Sequence, residues 1–186
     1  MNPIKNKKDL ETTIDDIRNF AYSYLEKYSP SIQQLKTYLF KKLIKISQKK
    51  SSKKEAMILI DSVISTLLDQ KLLSDKYYAE TKSKTFLKRG YSLNKIRYNL
   101  IKKGIDEKYI KESISKIKEN EADPDFFSAI KICKKRRIGP CREESNRTLF
   151  YKKDISILAR SGFSYDLSKK ILEIPKQEFL KFCKMI

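Results

Sequence analysis

The chain has 186 residues, enough for one ordinary domain or a short array of small units, and its 40% apolar content can fill a core. It carries 42 Lys+Arg against 23 Asp+Glu and no histidine, a formal net charge of +19. An anionic partner is therefore expected, whereas Ser-His and Cys-His nucleophile pairs, a histidine general base and His-containing zinc sites are excluded.

Residues 1–12 are polar and dotted with lysine and contain no apolar stretch of signal-peptide type. Later apolar runs are only a few residues long, so the chain is expected to be neither exported nor membrane-spanning. From residue 13 onward the apolar period is that of helices. Ile32, Leu35, Leu39 and Leu43 share one face, followed by Ala56, Ile60, Val63, Ile64 and Leu67. Between these two helices the polar, basic stretch 47–54 replaces a short turn. Leu93, Ile96, Leu100 and Ile101 mark the next face, then Ile110, Ile114 and Ile117, and finally Leu167, Ile171 and Ile174. No window alternates apolar and polar residues long enough for a strand.

Punctuation supports these boundaries. Ser31, Ser92, Asp106, Asp123 and either Ser164 or Asp166 are N-cap candidates, and Pro124 sits at a favoured first helical position. Asp75 is read as an N-cap. Gly90, Gly104 and Gly162 fall where a left-handed residue would stop a helix, and Gly139-Pro140 makes a rigid turn after a basic run. The four glycines, none followed by lysine, leave no P-loop and no GxGxxG turn, so no nucleotide cofactor is expected.

The same signals recur. Ser31 to Lys42 matches Ser92 to Lys103 at an offset of 61, and Leu158 to Phe163 matches Leu100 to Ile105 at an offset of 58. The expected fold is all-α: an elongated array of three tandem three-helix repeats at 13–72, 75–120 and 123–174, with a short C-terminal helical tail over 175–186. The first repeat lacks a glycine stop.

Positive charge is spread evenly. The thirds 1–60, 61–120 and 121–186 hold 13, 14 and 15 basic against 6, 8 and 9 acidic side chains, which makes the charge a property of the folded surface. The densest block, Lys134, Lys135, Arg136, Arg137 and Arg142 with Lys131 and Arg147 nearby, surrounds Gly139-Pro140. Arginine forks suit carboxylate or phosphate pairing, and the helix dipole also collects cations at such ends. Lys88, Arg89, Lys102, Lys103 and Arg160 precede glycine stops and carry the same two readings. Eleven tyrosines interleave with lysines, fitting either helix packing or base stacking. Cys133, Cys141 and Cys183 lack C-x-x-C spacing and read as unpaired thiols in a reducing compartment, and the aspartate pairs read as caps, so no metal site is expected. The helix after Ser92 offers only Arg97 and Asn99 to a base edge, too little for sequence-specific DNA reading.

Three stretches resemble the RecX regulators of the RecA recombinase: Leu73-Ser74-Asp75-x-x-Tyr78-Ala79; Lys88-Arg89-Gly90 running through Ile96 and Leu100 to Lys102-Lys103-Gly104-Ile105; and Arg136-Arg137-Ile138-Gly139-Pro140 with Leu158-Ala159-Arg160-x-Gly162-Phe163-Ser164-Tyr165. The similarity spans about residues 18–173. It implies a cytosolic, non-enzymatic protein that binds the RecA filament on single-stranded DNA along its helical groove; a monomer is expected. Such a protein would inhibit filament growth, ATP hydrolysis, strand exchange and LexA co-protease activity, with DNA touched directly or through RecA. The alternative is a nonspecific nucleic-acid-binding helical protein.

Overall fold

A computed structural model describes residues 13–46 and 53–186, so the polar segment 1–12 and most of the basic stretch 47–54 lie outside the described residues. Lys53 and Lys54, assigned to that stretch from sequence, already belong to the following helix. The described residues form ten α-helices and one 3-10 turn, with no strand among them. The chain divides into two compact units, residues 1–78 and 79–186.

The first unit holds α1 (Ile14–Leu25), α2 (Ile32–Ile46), α3 (Lys53–Asp69) and the first turn of α4 (Asp75–Lys88). Thr13 and Asp16 form a capping box at α1: the Thr13 hydroxyl accepts from the Asp16 amide at 3.2 Å, and the Asp16 carboxylate accepts from the Thr13 amide at 2.9 Å. Ser31 and Gln34 make the equivalent reciprocal pair at α2, both bonds 3.2 Å long. Ile17, Ala21, Leu35, Leu39, Leu43, Ile60, Val63, Ile64 and Leu67 fill the core.

The position of the missing glycine turn, 47–54, lies mostly outside the described residues, but α3 also ends in a left-handed stop, at Lys71, held at φ 57°. The Leu72 amide reaches back to the Leu67 carbonyl at 3.0 Å, the six-to-one bond of a Schellman stop. A β-carbon in that conformation costs on the order of 1 kcal/mol.

The second unit continues with α5 (Leu93–Ile101), α6 (Glu107–Asn120), α7 (Pro124–Arg136), the 3-10 turn Gly139–Cys141, α8 (Glu144–Arg160), α9 (Tyr165–Glu173) and α10 (Lys176–Cys183). The serine and aspartate caps hold as read: Ser92, Asp106, Asp123 and Ser164 each accept from an amide of the first turn. Of the two candidates at α9, Ser164 is the cap and Asp166 lies within the helix. Two expected faces shift. In α6 the small Ser113 is buried with Ile110 and Ile117, while Ile114 is only half-buried, because the Ser113 hydroxyl pairs with Ser83 at 3.1 Å where α4 passes. In α5, Ile101 is turned to solvent. α10 is no appendage, since Phe179 lies in the core that α7, α8 and α9 build.

A candidate partner-binding surface

Asp75 does not cap its own helix. Ser74 takes that role, its hydroxyl accepting from the Tyr77 amide at 3.2 Å. The Asp75 carboxylate reaches instead to the first amide of α2, accepting from Ile32 at 2.9 Å. The same device recurs in the second unit, where Asp125 near the start of α7 accepts from Leu93, the first amide of α5, at 2.7 Å. In each case a carboxylate meets the positive end of a helix dipole and satisfies a donor that has no partner within its helix. Burial raises both carboxyls above the usual range, partly opposed by the amide bond each accepts.

The glycines position the predicted cations. Gly90 (φ 84°) lies against α7, where a β-carbon would sit 3.0 Å from Ile132 and 3.1 Å from the Ser128 carbonyl oxygen. Gly162 (φ 92°) lies so close to Ser92 and Lys95 that a β-carbon would overlap the serine hydroxyl. The Ser92 amide donates to the Ser161 carbonyl at 3.2 Å. This contact sets the turn following Lys88 and Arg89 beside the end of α8 that carries Arg160; all three side chains are exposed. Lys102 is exposed at the end of α5 with its ammonium 5.3 Å from the Tyr98 ring, and Lys103 is half-buried.

The block at the end of α7 is a second cluster. Lys134, Lys135, Arg136 and Arg137 are all exposed, and Lys134 donates to the Cys183 carbonyl at 3.2 Å, tying α10 down. Arg137 terminates α7 in the left-handed region, at φ 54°, without being glycine. The turn after the basic run therefore begins at Arg137, two residues before Gly139.

Arg142 differs from its neighbours. Its fork grips Asp154 through Nε at 2.7 Å and an η-nitrogen at 2.8 Å, and it stacks 4.5 Å from the Phe150 ring centroid. Asp154, 1% exposed, also accepts from the Gly139 amide at 2.9 Å. The Asp154 hydrogen bond raises the Arg142 pKa further. Arg142, expected among the partner contacts, thus has its fork engaged inside the fold. Arg147 likewise donates to the Leu172 and Ile174 carbonyls at 2.7 and 3.0 Å, closing the end of α9.

Sequence reasoning missed Asp154. A lone aspartate on a predicted helix gives no sign of burial, although its spacing from Arg142, three turns on, was available. The three thiols are unpaired and border the core around α7 and α10, where burial pushes each upward. Most tyrosines pack: Tyr24 stacks on Tyr38 with centroids 4.1 Å apart, whereas Tyr28, Tyr77, Tyr98 and Tyr165 are exposed.

Fold and surface define a basic, all-helical protein whose exposed cations gather at helix ends. No protein-family model matches the chain. It is 27% identical to the regulatory protein RecX of Myxococcus xanthus, over 84% of each chain. With the regulatory protein RecX of Clostridium perfringens (strain SM101) it shares 30% identity over 61% of its length, spanning about half of that relative. The crystal structure of RecX from Lactobacillus salivarius matches with a TM-score of 0.59 at 23% identity, covering 90% of this chain and 97% of that one. The chain is a homologue of the RecX regulatory proteins, as the resemblance in its sequence implied, and it shares their all-α fold.

Proposed function

We propose that this protein binds the RecA filament on single-stranded DNA along its helical groove and inhibits RecA, acting as a non-enzymatic, cytoplasmic monomer in DNA repair and recombination. Filament growth, ATP hydrolysis, strand exchange and LexA cleavage are the activities it restrains. The homology carries the choice of partner. The observation that carries the choice of surface is Arg137: a left-handed backbone that glycine would adopt freely is occupied by an arginine, at the tip of four consecutive exposed cations. Strain retained in such a place favours a role for the side chain.

The contact set in this reading is Lys134, Lys135, Arg136 and Arg137, with Lys88, Arg89 and Arg160 at the glycine elbows and Lys102 at the end of α5. Lys103 is peripheral, and Arg142 serves as scaffold. The three-repeat division at 13–72, 75–120 and 123–174 belongs to the same proposal. It is supported by the repeated bond from an aspartate at the start of one repeat to the middle helix of the preceding repeat, Asp75 to Ile32 and Asp125 to Leu93.

A second reading, nonspecific nucleic-acid binding, draws on the +19 charge alone. Titrating the protein into RecA hydrolysing ATP on single-stranded DNA separates the two. A filament regulator suppresses hydrolysis at amounts far below the number of strand sites, whereas a passive coat must saturate the strand.

A further inference from the structure

The exposed cations that end α7 give way abruptly to a buried turn. Lys134, Lys135, Arg136 and Arg137 are exposed, and Ile138, Gly139 and Pro140, directly after them, are buried. Gly139, at φ 56°, lies so close to α9 that a β-carbon would overlap the Leu172 side chain. Against this turn stands Asp154 of α8, the one buried charged side chain among the described residues. It accepts from the Gly139 amide at 2.9 Å and from the Arg142 fork at 2.7 and 2.8 Å, so both ends of the turn close on one carboxylate.

Ending α7 does not require that carboxylate. The stop at Arg137 is already closed by the Ile138 amide on the Cys133 carbonyl at 3.1 Å. The Tyr91, Ile105 and Phe163 amides close the stops at Gly90, Gly104 and Gly162 in the same way, on the Phe86, Leu100 and Leu158 carbonyls. Nor does a buried ion pair by itself favour the fold, since apolar residues of similar volume often serve as well or better. What the carboxylate adds is direction: it admits one orientation of the Gly139 amide and one seat for the guanidinium.

We propose that Asp154 is the positioning residue of the basic tip: by tying Gly139 to Arg142 it sets the angle at which Arg136 and Arg137 meet the carboxylates or phosphates of their partner. The proposal rests on the reading above, in which those arginines contact the RecA filament. Without the tether the same cations stay on the surface but spread over several directions, so what is lost is aim and not charge.

The test measures binding to RecA filament on single-stranded DNA, and to the DNA alone, at a temperature where urea unfolding shows each variant folded. The tether variants are Asp154→Asn, which keeps an acceptor for the Gly139 amide but removes the charge facing the guanidinium, and Arg142→Lys, which keeps the charge and loses the fork. The tip variant is Arg136→Gln with Arg137→Gln, and each tether variant is also combined with it. Each tether variant should bind filament about tenfold more weakly than the parent, yet weaken it no further once both arginines are gone. Asp154→Asn also adds a unit of positive charge, which by electrostatics alone would tighten binding to a polyanion, so bare DNA should be bound as well as by the parent or better. Parental filament binding by both tether variants, with the tip variant weak, overturns the proposal and leaves the reading of the tip standing. A tenfold loss that persists without the two arginines also overturns it, because Asp154 then acts through the fold at large. Parental binding by the tip variant takes down that reading and the proposal together. Should Asp154→Asn fail to fold, Arg142→Lys and its combination decide.

Discussion

The two units solve one problem, ending a helix and turning the chain, with different residues. In the second unit Gly90, Gly104 and Gly162 supply the left-handed stops, and at Gly90 and Gly162 the absence of a β-carbon also allows close approach of another helix. In the first unit Lys71 does the same job without glycine. The comparison separates two requirements that glycine usually meets together. A stop needs only positive φ, which lysine can adopt at some cost, whereas close packing needs the missing side chain. Arg137 belongs with Lys71: a stop made at positive φ by a residue other than glycine.

The units also differ in what they bury. Among the described residues, the first has an aliphatic core with no buried carboxylate, while the second encloses Asp154. Asp154→Ala should have the largest effect on the fold, since it leaves the Arg142 fork and the Gly139 amide without their acceptor. A loss of about 3–5 kcal/mol is expected in urea unfolding. A loss below about 1 kcal/mol would mean that water replaces the carboxylate.

Next in size are the two aspartates that join one helix to the start of another. Asp75→Ala and Asp125→Ala each orphan a half-buried helix amide and should cost about 1–2 kcal/mol, whereas Asn, which keeps the acceptor, should cost little. The pH dependence sharpens this. Both carboxyls are raised by burial, so the folded state holds their protons more tightly than the unfolded one. Their stabilising contribution is complete at low pH and is lost as pH rises through the folded value. Parent stability relative to the Asn variants should therefore increase as pH falls from neutral through the carboxylate range. A gap that is flat with pH would remove the burial argument.

The smallest effects are at the stops. Lys71→Gly and Arg137→Gly should each stabilise by about 0.5–1 kcal/mol by relieving the left-handed strain. Of the two, only Arg137→Gly should also weaken inhibition of RecA, because only there does the reading assign the side chain a partner. Equal inhibition by both variants would show that the two stops are alike.

Much of this was legible in the sequence. The helical period of Leu35, Leu39 and Leu43, the serine caps and the glycine stops mark their elements directly, because each is a local signal. Long-range chemistry was not. Asp75 reads as a cap from its position, and only the fold reveals that Ser74 caps α4 and that Asp75 reaches Ile32. Arg142 and Arg137 look alike in a basic run, yet one is held by Asp154 and the other points to solvent. Exposure of Ile101 and burial of Ser113 likewise depend on neighbouring helices, which periodicity does not name.

The central claim is that the exposed cations ending α7 grip the RecA filament. The most direct measurement is inhibition of RecA's DNA-dependent ATPase by Arg136→Glu with Arg137→Glu, made alongside thermal unfolding. Losing charged partners in a defined contact costs on the order of 2–5 kcal/mol, so the inhibitory concentration should rise roughly tenfold or more. The unfolding midpoint should barely move, because exposed substitutions cost under about 0.5 kcal/mol. Inhibition equal to that of the parent, at equal stability, would contradict the account.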